Sequence, residues 1–312
     1  YGTDALRFAI STGTAPGNDI RLSTAKLESS RNFVNKLWNA ARFVMRSVET
    51  NPEFAIGNAD KSAQAPVGDR WIASRLNRLI DSVNTLMTEF QFGEAERHIH
   101  DFLWGEYCDW YIEMAKVRLR EPSATSPLPT LVGVLETSLR LLHPYMPFVT
   151  EEIWQNLASL VPEIKATESI MIAPYPEADR PLMDMAAEGE MESLMEIVRS
   201  IRNARAELHI EPERWLEATV YAKDGQSALA SHAGALETLA RVRPLRIHGH
   251  RIGTVTHNTL TLVLSEAEVV LPLAGVLDLE KERNRLDTEI REIQREITSL
   301  NARLQDKAFI EK

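Results

Sequence analysis

The sequence is poor in the residues that build disulfide frameworks and membrane spans. Its 312 residues include one cysteine, Cys108, which excludes an intramolecular disulfide and a zinc site made of several thiolates. Apolar-rich runs such as 260–264 and 269–273 are far too short to span a bilayer. No basic segment followed by an apolar stretch opens the chain, as an export signal would. We therefore expect a soluble cytoplasmic protein without a membrane partner.

Positive charge is scarce overall, because 35 Lys and Arg stand against 45 Asp and Glu and give a net charge of −10. A generic DNA-coating protein needs a strong basic excess, so this class is excluded and we expect no DNA partner. Between Lys26 and Arg46, however, five basic residues accompany a single acid, Glu28. Such a local patch on an acidic protein can contact phosphates while the overall charge limits non-specific binding.

Catalytic and metal-binding motifs are also missing from the sequence. It contains no G-x-x-x-x-G-K-S/T loop, and Gly13 and Gly17 alone are too weak a signal for a dinucleotide fingerprint. Two histidine pairs, at 98 and 100 and at 248 and 250, could suggest metal ligands. On a helix, however, residues two apart point to different faces, and no further ligands lie nearby in the sequence. We therefore predict no metal site. Cys108 lies in an aromatic-rich helix, which favours a buried small side chain over a nucleophile.

One segment carries a pattern typical of nucleic-acid contact, an amphipathic helix predicted over 29–48. Its apolar residues recur at spacings of three and four: Phe33, Leu37, Ala40, Val44 and Val48. The opposite face carries Arg31, Asn35, Trp38, Arg42 and Arg46. Cations and amides around an aromatic ring suit base stacking and phosphate contact. The alternative is that Trp38 packs on a neighbouring helix while the arginines are merely solvated.

Further helices surround this one. The chain opens at the entry to a helix, and apolar periodicity predicts amphipathic helices over 69–90, 92–119, 131–142 and 151–160. Asp69 and Thr150 are expected to be N-caps. Loops are predicted at 12–19 from its Gly, Pro and Asn, at 51–66 from its Pro, Gly and Ala, and at 121–129 from its three prolines. Short connectors between helices indicate an α-helical bundle.

The rest of the chain has a different character. A Glu- and Arg-rich helix is predicted over 183–208, with another helical stretch near 228–240. Strands are predicted at 215–221, 244–248, 251–256, 259–264 and 268–273, which makes a small α+β unit. After it, apolar residues form an a/d seam: Leu279, Leu286, Ile290, Ile293, Ile297, Leu300 and Leu304. Such a seam needs a partner, either a returning helix or another copy of the chain.

Several stretches carry a family resemblance. Residues 1–8, Tyr-Gly-Thr-Asp-Ala-Leu-Arg-Phe, look like the helix that follows the KMSKS loop in class I aminoacyl-tRNA synthetases of the valine/isoleucine/leucine group. Residues 15–20 and 31–42 are similar to the version found in valyl-tRNA synthetases. Further matching stretches are 69–72, 74–76, 92–95, 108–111, 141–154 and, resembling the arm of the bacterial valyl enzymes, 268–275 with the heptad helix after it. The resemblance covers essentially the whole chain.

The resemblance implies a mainly α fold and a division into four parts. Residues 1–25 would end the stem-contact region and form a linker, and 26–180 would be the anticodon-binding helical bundle. Residues 181–275 would be a small α+β connecting domain. Residues 276–312 would be the first helix of a coiled-coil arm that contacts the outer corner of tRNA, truncated before its returning helix.

In this family the parent enzyme uses ATP and magnesium to activate valine and transfers it to its tRNA. The family's HIGH motif, KMSKS lysines, nucleotide-binding core and editing domain are absent from this sequence. The chain also begins at Tyr1 without a Met and ends within a periodic helical stretch, so we expect a fragment. Alone, it should need no cofactor, form no valyl-adenylate and hydrolyse no mischarged tRNA.

Single-stranded anticodon bases are read by stacking and edge hydrogen bonds while cations hold the phosphates. We therefore expect the 29–48 helix to bind valine tRNA, with no catalytic residue and no metal ligand in the chain. The expected tRNA-binding residues are Arg31, Asn35, Trp38, Asn39 and Arg42, with Lys36 and Arg46 as electrostatic support and Asn32 as a weaker flank. Two alternatives remain: a coiled-coil protein-interaction module, and the equivalent region of isoleucyl-tRNA synthetase, which typically ends in a cysteine-rich zinc module.

Overall fold

The computed structural model describes residues 1–12, 22–51, 64–121, 125–164, 167–222, 226–250, 258–275 and 279–305. The chain divides into two compact units, unit 1 (Tyr1–Met195) and unit 2 (Glu196–Lys312). The predicted strand at 251–256 and most of the predicted loops at 12–19 and 51–66 lie outside the described residues. Among the helices that are described, none is long and apolar enough to cross a membrane.

Unit 1 is an α-helical bundle, which confirms the predicted fold class. Its helices are α1 (Thr3–Ser11), α2 (Thr24–Glu49), α3 (Val67–Thr88), α4 (Phe92–Asp101), α5 (Ile112–Arg118), α6 (Leu128–Leu142) and α7 (Pro147–Leu160). Short 3-10 turns follow at Pro162–Ile164, Ile170–Ile172 and Arg180–Leu182. The long helix α8 (Met185–Glu207) contains the boundary between the units.

Helix α2 begins five residues earlier than the sequence pattern predicts. The Ser23 side chain accepts a hydrogen bond from the Lys26 backbone N–H, and so satisfies one of the free N–H groups of the first turn. The predicted apolar stripe is buried, and it packs against α1, α6 and α7. The wholly or almost wholly buried residues of this stripe are Phe33, Leu37, Ala40, Val44 and Val48.

The predicted helix over 92–119 is continuous but is not α-helical throughout. Between α4 and α5, residues Phe102–Tyr111 form a π-helix, which we call the π segment. It is rich in aromatic side chains and buries Tyr107 and Tyr111 completely, or nearly so. The Tyr107 hydroxyl donates to the Leu131 carbonyl of α6 at 2.8 Å, so the polar end of this buried ring is satisfied.

Both N-cap predictions are wrong. Helix α3 begins at Val67, and Asp69 instead lies in its first turn, where its carboxylate binds the Arg118 guanidinium of α5. Helix α7 begins at Pro147, because a proline fits the first turn of a helix, where its missing N–H costs nothing. Thr150 therefore lies inside the helix, and its hydroxyl donates to the Met146 carbonyl at 2.7 Å.

Unit 2 contains a four-stranded sheet in the order β2-β1-β4-β3. Its strands are β1 (Leu216–Tyr221), β2 (Val242–His248), β3 (Thr259–Val263) and β4 (Glu268–Pro272), and its short helices are α9 (Gln226–Ser231) and α10 (Ala233–Ala240). The pair β1–β2 is parallel, whereas β1–β4 and β3–β4 are antiparallel. These strands confirm four of the five that the sequence predicts, and the predicted helical stretch near 228–240 is two helices.

Helix α11 (Leu279–Gln305) follows the sheet and carries the predicted heptad seam. The seam residues whose side chains are described are between 48% and 63% exposed. They are Ile290, Ile293, Ile297, Leu300 and Leu304. An exposed apolar seam of this kind is typical of a helix that packs against another helix.

Candidate nucleic-acid interface

The outer face of α2 brings together most of the residues that the sequence predicts to bind tRNA. At 100° per residue, the exposed positions of α2 between Arg31 and Arg46 cluster within about a third of the helix circumference. This surface, which we call the α2 face, consists of Arg31, Asn32, Asn35, Asn39, Arg42 and Arg46, all exposed. The buried apolar stripe occupies the opposite side and holds the α2 face towards solvent.

Three of the six residues of the α2 face are arginines. Within the described part of the chain, no carboxylate forms an ion pair with Arg31, Arg42 or Arg46. The Arg31 guanidinium lies 5.6 Å from the ring centroid of Tyr1, an arrangement that leaves its N–H donors available. The face therefore combines uncompensated cations with amide side chains.

The two remaining predicted residues are half-buried on the flanks of the α2 face. Lys36 forms an ion pair with Asp109 of the π segment, and its ammonium lies 4.0 Å from the centroid of the Trp104 ring. Its charge is thus used within the bundle. Trp38 is neither fully buried nor freely exposed, so part of its indole remains accessible beside the arginines.

Sequence reasoning missed Trp104 as a neighbour of α2. Its indole stacks on the His100 imidazole with centroids 5.7 Å apart, and the same imidazole lies 4.6 Å from the Phe33 ring. The spacing of four between His100 and Trp104 was the available signal, because residues four apart lie on one side of a helix. The π segment thus positions an aromatic ring against the Lys36 flank of α2.

The described ranges also contain the histidines and the cysteine that the sequence offers as metal ligands or as a nucleophile. They contain no group of three or more His, Cys, Asp or Glu side chains placed to hold a metal ion. His98 instead contacts the Ser82 hydroxyl at 2.9 Å. Burial raises the pKa of the Cys108 thiol to about 12, which keeps it protonated and unreactive at neutral pH.

Comparison with known proteins defines the class of this fold. Residues 69–220 match the family model described as the anticodon-binding domain of tRNA ligase. Helix α2 precedes this matched range.

The relatives extend the assignment to the rest of the chain. Valine–tRNA ligase of Dehalococcoides mccartyi strain CBDB1 is 51% identical over 313 residues, which cover 100% of this chain and 35% of the relative. The Carboxydothermus hydrogenoformans enzyme is 39% identical over 316 residues, and that of Bacillus cereus strain ATCC 14579 is 39% identical over 292 residues. They cover 100% and 92% of this chain, and 34% and 32% of the relatives. The chain is homologous to the C-terminal part of valine–tRNA ligases and spans about a third of their length.

Among solved structures, a LeuRS from Agrobacterium radiobacter K84 in a ternary complex aligns with 68% of this chain and 27% of its own. The TM-score is 0.44 and the sequence identity is 16%, values too low to support an assignment.

Proposed function

We propose that this chain binds the anticodon arm of valine tRNA through the α2 face, as the tRNA-recognition part of a valine–tRNA ligase. The observation that carries the proposal is the set of three exposed arginines without a carboxylate partner, interleaved with three exposed asparagines, beside an anticodon-binding domain. A phosphate can bind such arginines without first breaking an ion pair inside the protein.

Each residue type on the α2 face has a separate role in this proposal. Arg31, Arg42 and Arg46 hold backbone phosphates, since guanidinium groups bind phosphate oxygens with paired N–H donors. Asn32, Asn35 and Asn39 offer both donors and acceptors for the edges of unstacked bases. The accessible part of Trp38 supports stacking of one base. Lys36, held by Asp109, acts by fixing α2 against the π segment.

The remaining part of the proposal concerns the longer valine–tRNA ligase to which this chain would belong. There, ATP and magnesium would serve activation of valine, and transfer to valine tRNA would follow in the cytoplasm. We expect this chain alone to catalyse neither step. We also propose the functional division into a linker (1–25), an anticodon-binding bundle (26–180), a connecting domain (181–275) and the first helix of an arm (276–312).

Replacing Arg42 and Arg46 with alanine tests the α2 face. Each lost phosphate contact should lower the slope of log K against log salt by about 0.7–0.9, so the double variant should lose about 1.5 from the slope. At low salt its affinity for a valine tRNA transcript should fall about tenfold or more. Fluorescence anisotropy of labelled tRNA over a series of KCl concentrations measures both quantities.

The matched control removes two exposed arginines of unit 1 that already have carboxylate partners, Arg97 with Glu94 and Asp101, and Arg180 with Asp81. The Arg97→Ala/Arg180→Ala variant has the same net charge as the test variant, and it should keep the wild-type salt slope. Equal slopes for wild type and the Arg42→Ala/Arg46→Ala variant would remove the α2 face from the binding site.

For α11 we propose self-association through the exposed seam, because the seam residues whose side chains are described are 48–63% exposed. Replacing Ile293 and Ile297 with aspartate should shift sedimentation velocity profiles from dimer to monomer and lower the helical circular dichroism signal. A wild-type chain that sediments as a monomer with a fully helical α11 would contradict this proposal.

A shorter chain ending near Gly275 separates tRNA recognition from the alternative, a protein-interaction module without RNA function. If the chain recognises tRNA through the α2 face, the shortened chain should lose self-association but still bind an anticodon stem-loop. Loss of self-association without any RNA binding in either chain favours the alternative.

A further inference from the structure

Unit 2 carries an exposed aromatic and arginine cluster that the α2 face does not include. It consists of Trp215, Arg241 and Arg243, and we call it the Trp215 cluster. The guanidinium carbons of Arg241 and Arg243 lie 5.4 and 4.8 Å from the centroid of the Trp215 ring. The indole is 39% exposed and the Arg243 side chain 61% exposed, so the cluster is accessible from solvent in unit 2.

The register of the sheet explains why these three side chains meet. Leu216 of β1 lies opposite Val242 of β2, and both side chains are buried in the core. Trp215 and Arg241 come directly before this buried pair, and Arg243 points to the face opposite Val242 because side chains alternate between the two faces of a strand. Trp215 on one chain segment therefore lies next to Arg241 and Arg243 on the other.

Arg205 fixes the two segments that carry the cluster. It is buried, and its Nη2 donates to the carbonyls of Glu211 at 3.0 Å and Arg214 at 2.8 Å, while Nη1 donates to the Arg241 carbonyl at 3.4 Å. Burial lowers the pKa of Arg205, and the nearby Arg241 charge lowers it further. These hydrogen bonds hold the two segments together and place the positive charge of Arg205 next to the positively charged cluster.

The backbone of Arg241 is in a conformation that usually belongs to glycine. Arg241 ends α10 with φ 56° and ψ 48°, the left-handed region where a side chain is strained. Its guanidinium forms no ion pair among the described residues, whereas Arg243 is paired with Glu237 at 3.1 Å. Arg241 thus combines a left-handed backbone with two neighbouring cations, Arg205 and Arg243, and both features cost stability.

We propose that the Trp215 cluster is a second RNA contact, which binds the phosphate backbone separately from the α2 face. That the ligand is an anion follows from the cluster itself, whereas the choice of RNA as this anion rests on the proposed function. A guanidinium group stacked on an aromatic ring keeps its in-plane N–H donors, and these match phosphate oxygens. An acidic protein segment is the competing occupant.

Arg241→Gly tests this proposal because function and structure predict opposite results. Glycine relieves the backbone strain, so the melting temperature of unit 2 should stay equal or rise. The affinity for a valine tRNA transcript should fall about three- to tenfold, and the slope against log salt should fall by about 0.7–0.9. Arg243→Gln provides a second variant: because Glu237 already compensates part of its charge, it should lower affinity and slope in the same direction but by less than Arg241→Gly.

Asn258→Gly is the matched control. Asn258 also has a positive φ, 66°, but it is uncharged and adjoins β3 at the other edge of the sheet. Its replacement should relieve strain without changing tRNA binding. If Arg241→Gly and Arg243→Gln both bind tRNA with wild-type affinity and slope, the proposal is overturned. It is also overturned if Arg241→Gly only lowers the melting temperature, because the arginine would then serve the helix end alone.

The Arg42→Ala/Arg46→Ala variant in the same assay separates this proposal from the proposed function. If only the α2 variant weakens binding, the Trp215 cluster is not an RNA contact and the proposed function stands. If only the cluster variants weaken binding, the second contact stands and the α2 assignment fails. If both contacts exist, the losses in log affinity should add when the variants are combined, since the two sets of substitutions share no partner.

Discussion

Replacing Glu96 with glutamine is expected to remove a strong pH dependence from the stability of unit 1. Glu96 on α4 is 0% exposed, and burial raises the pKa of its carboxyl group from an ordinary 4.5 to about 8. The nearby hydroxyls of Ser11 and Thr12 lower the pKa and so offset part of this cost. The charge of Lys26 offsets another part.

The sign of the effect follows from proton linkage. A carboxyl group with a raised pKa binds its proton more tightly in the folded state, so its contribution is fully present below pH 4.5 and is lost as pH rises towards 8. Wild type should lose about 1.4 kcal/mol of unfolding free energy per pH unit in that window from this group. The unfolding free energy of the Glu96→Gln variant minus that of wild type should therefore increase by about 3 kcal/mol from pH 5.5 to pH 7.5.

Urea unfolding followed by tryptophan fluorescence measures this difference, because five of the six tryptophans lie in unit 1. The matched control is Glu94→Gln on the same helix. The Glu94 side chain is 42% exposed, and the hydrogen bond from Arg97 lowers its pKa, so its contribution to stability is lost only at acidic pH. The same slope between pH 5.5 and 7.5 in wild type and Glu96→Gln would contradict the account of Glu96.

The second large effect is expected at Arg118, which joins the end of α5 to the start of α3. Its guanidinium binds both carboxylate oxygens of Asp69, and the Tyr111 hydroxyl donates to the same carboxylate at 2.6 Å. Asp69 is only 6% exposed. Arg118→Met leaves a buried carboxylate without its cation, which should lower the unfolding free energy by about 3–5 kcal/mol.

The double variant Asp69→Asn/Arg118→Met removes both charges and should recover much of this loss, because no buried charge remains uncompensated. Arg97→Met, at an exposed arginine with two exposed partners, is the control and should cost less than about 1 kcal/mol. A loss below 1 kcal/mol for Arg118→Met at pH 7 would show that the buried pair does not hold α3 to α5.

Local periodicity was sufficient to predict much of the fold. The spacing of apolar residues in α2 identified the buried stripe, and the same pattern located the other helices of the bundle. The role of Asp69 could not be predicted, because the first turn of α3 resembles a capping site and the partner, Arg118, lies 49 residues away. The π segment was equally hidden, since its register depends on how its aromatic rings pack rather than on any local sequence signal.

The candidate site was predictable to a similar degree. Exposure of Arg31, Arg42 and Arg46 follows from their position opposite the apolar stripe. The fate of Lys36 does not, because Asp109, which pairs with it, is 73 residues away. The Trp215 cluster was missed for the same reason: its members meet only through the parallel register of β1 and β2.

The central claim is that the folded chain recognises the anticodon end of tRNA. Hydroxyl-radical footprinting of a valine tRNA transcript on the full chain tests it most directly. We expect protection of the anticodon loop in wild type and its loss in the Arg42→Ala/Arg46→Ala variant, with circular dichroism showing an intact bundle in both. An anticodon loop that stays fully cleaved while the folded wild-type chain is bound elsewhere on the tRNA, or does not bind at all, would contradict it.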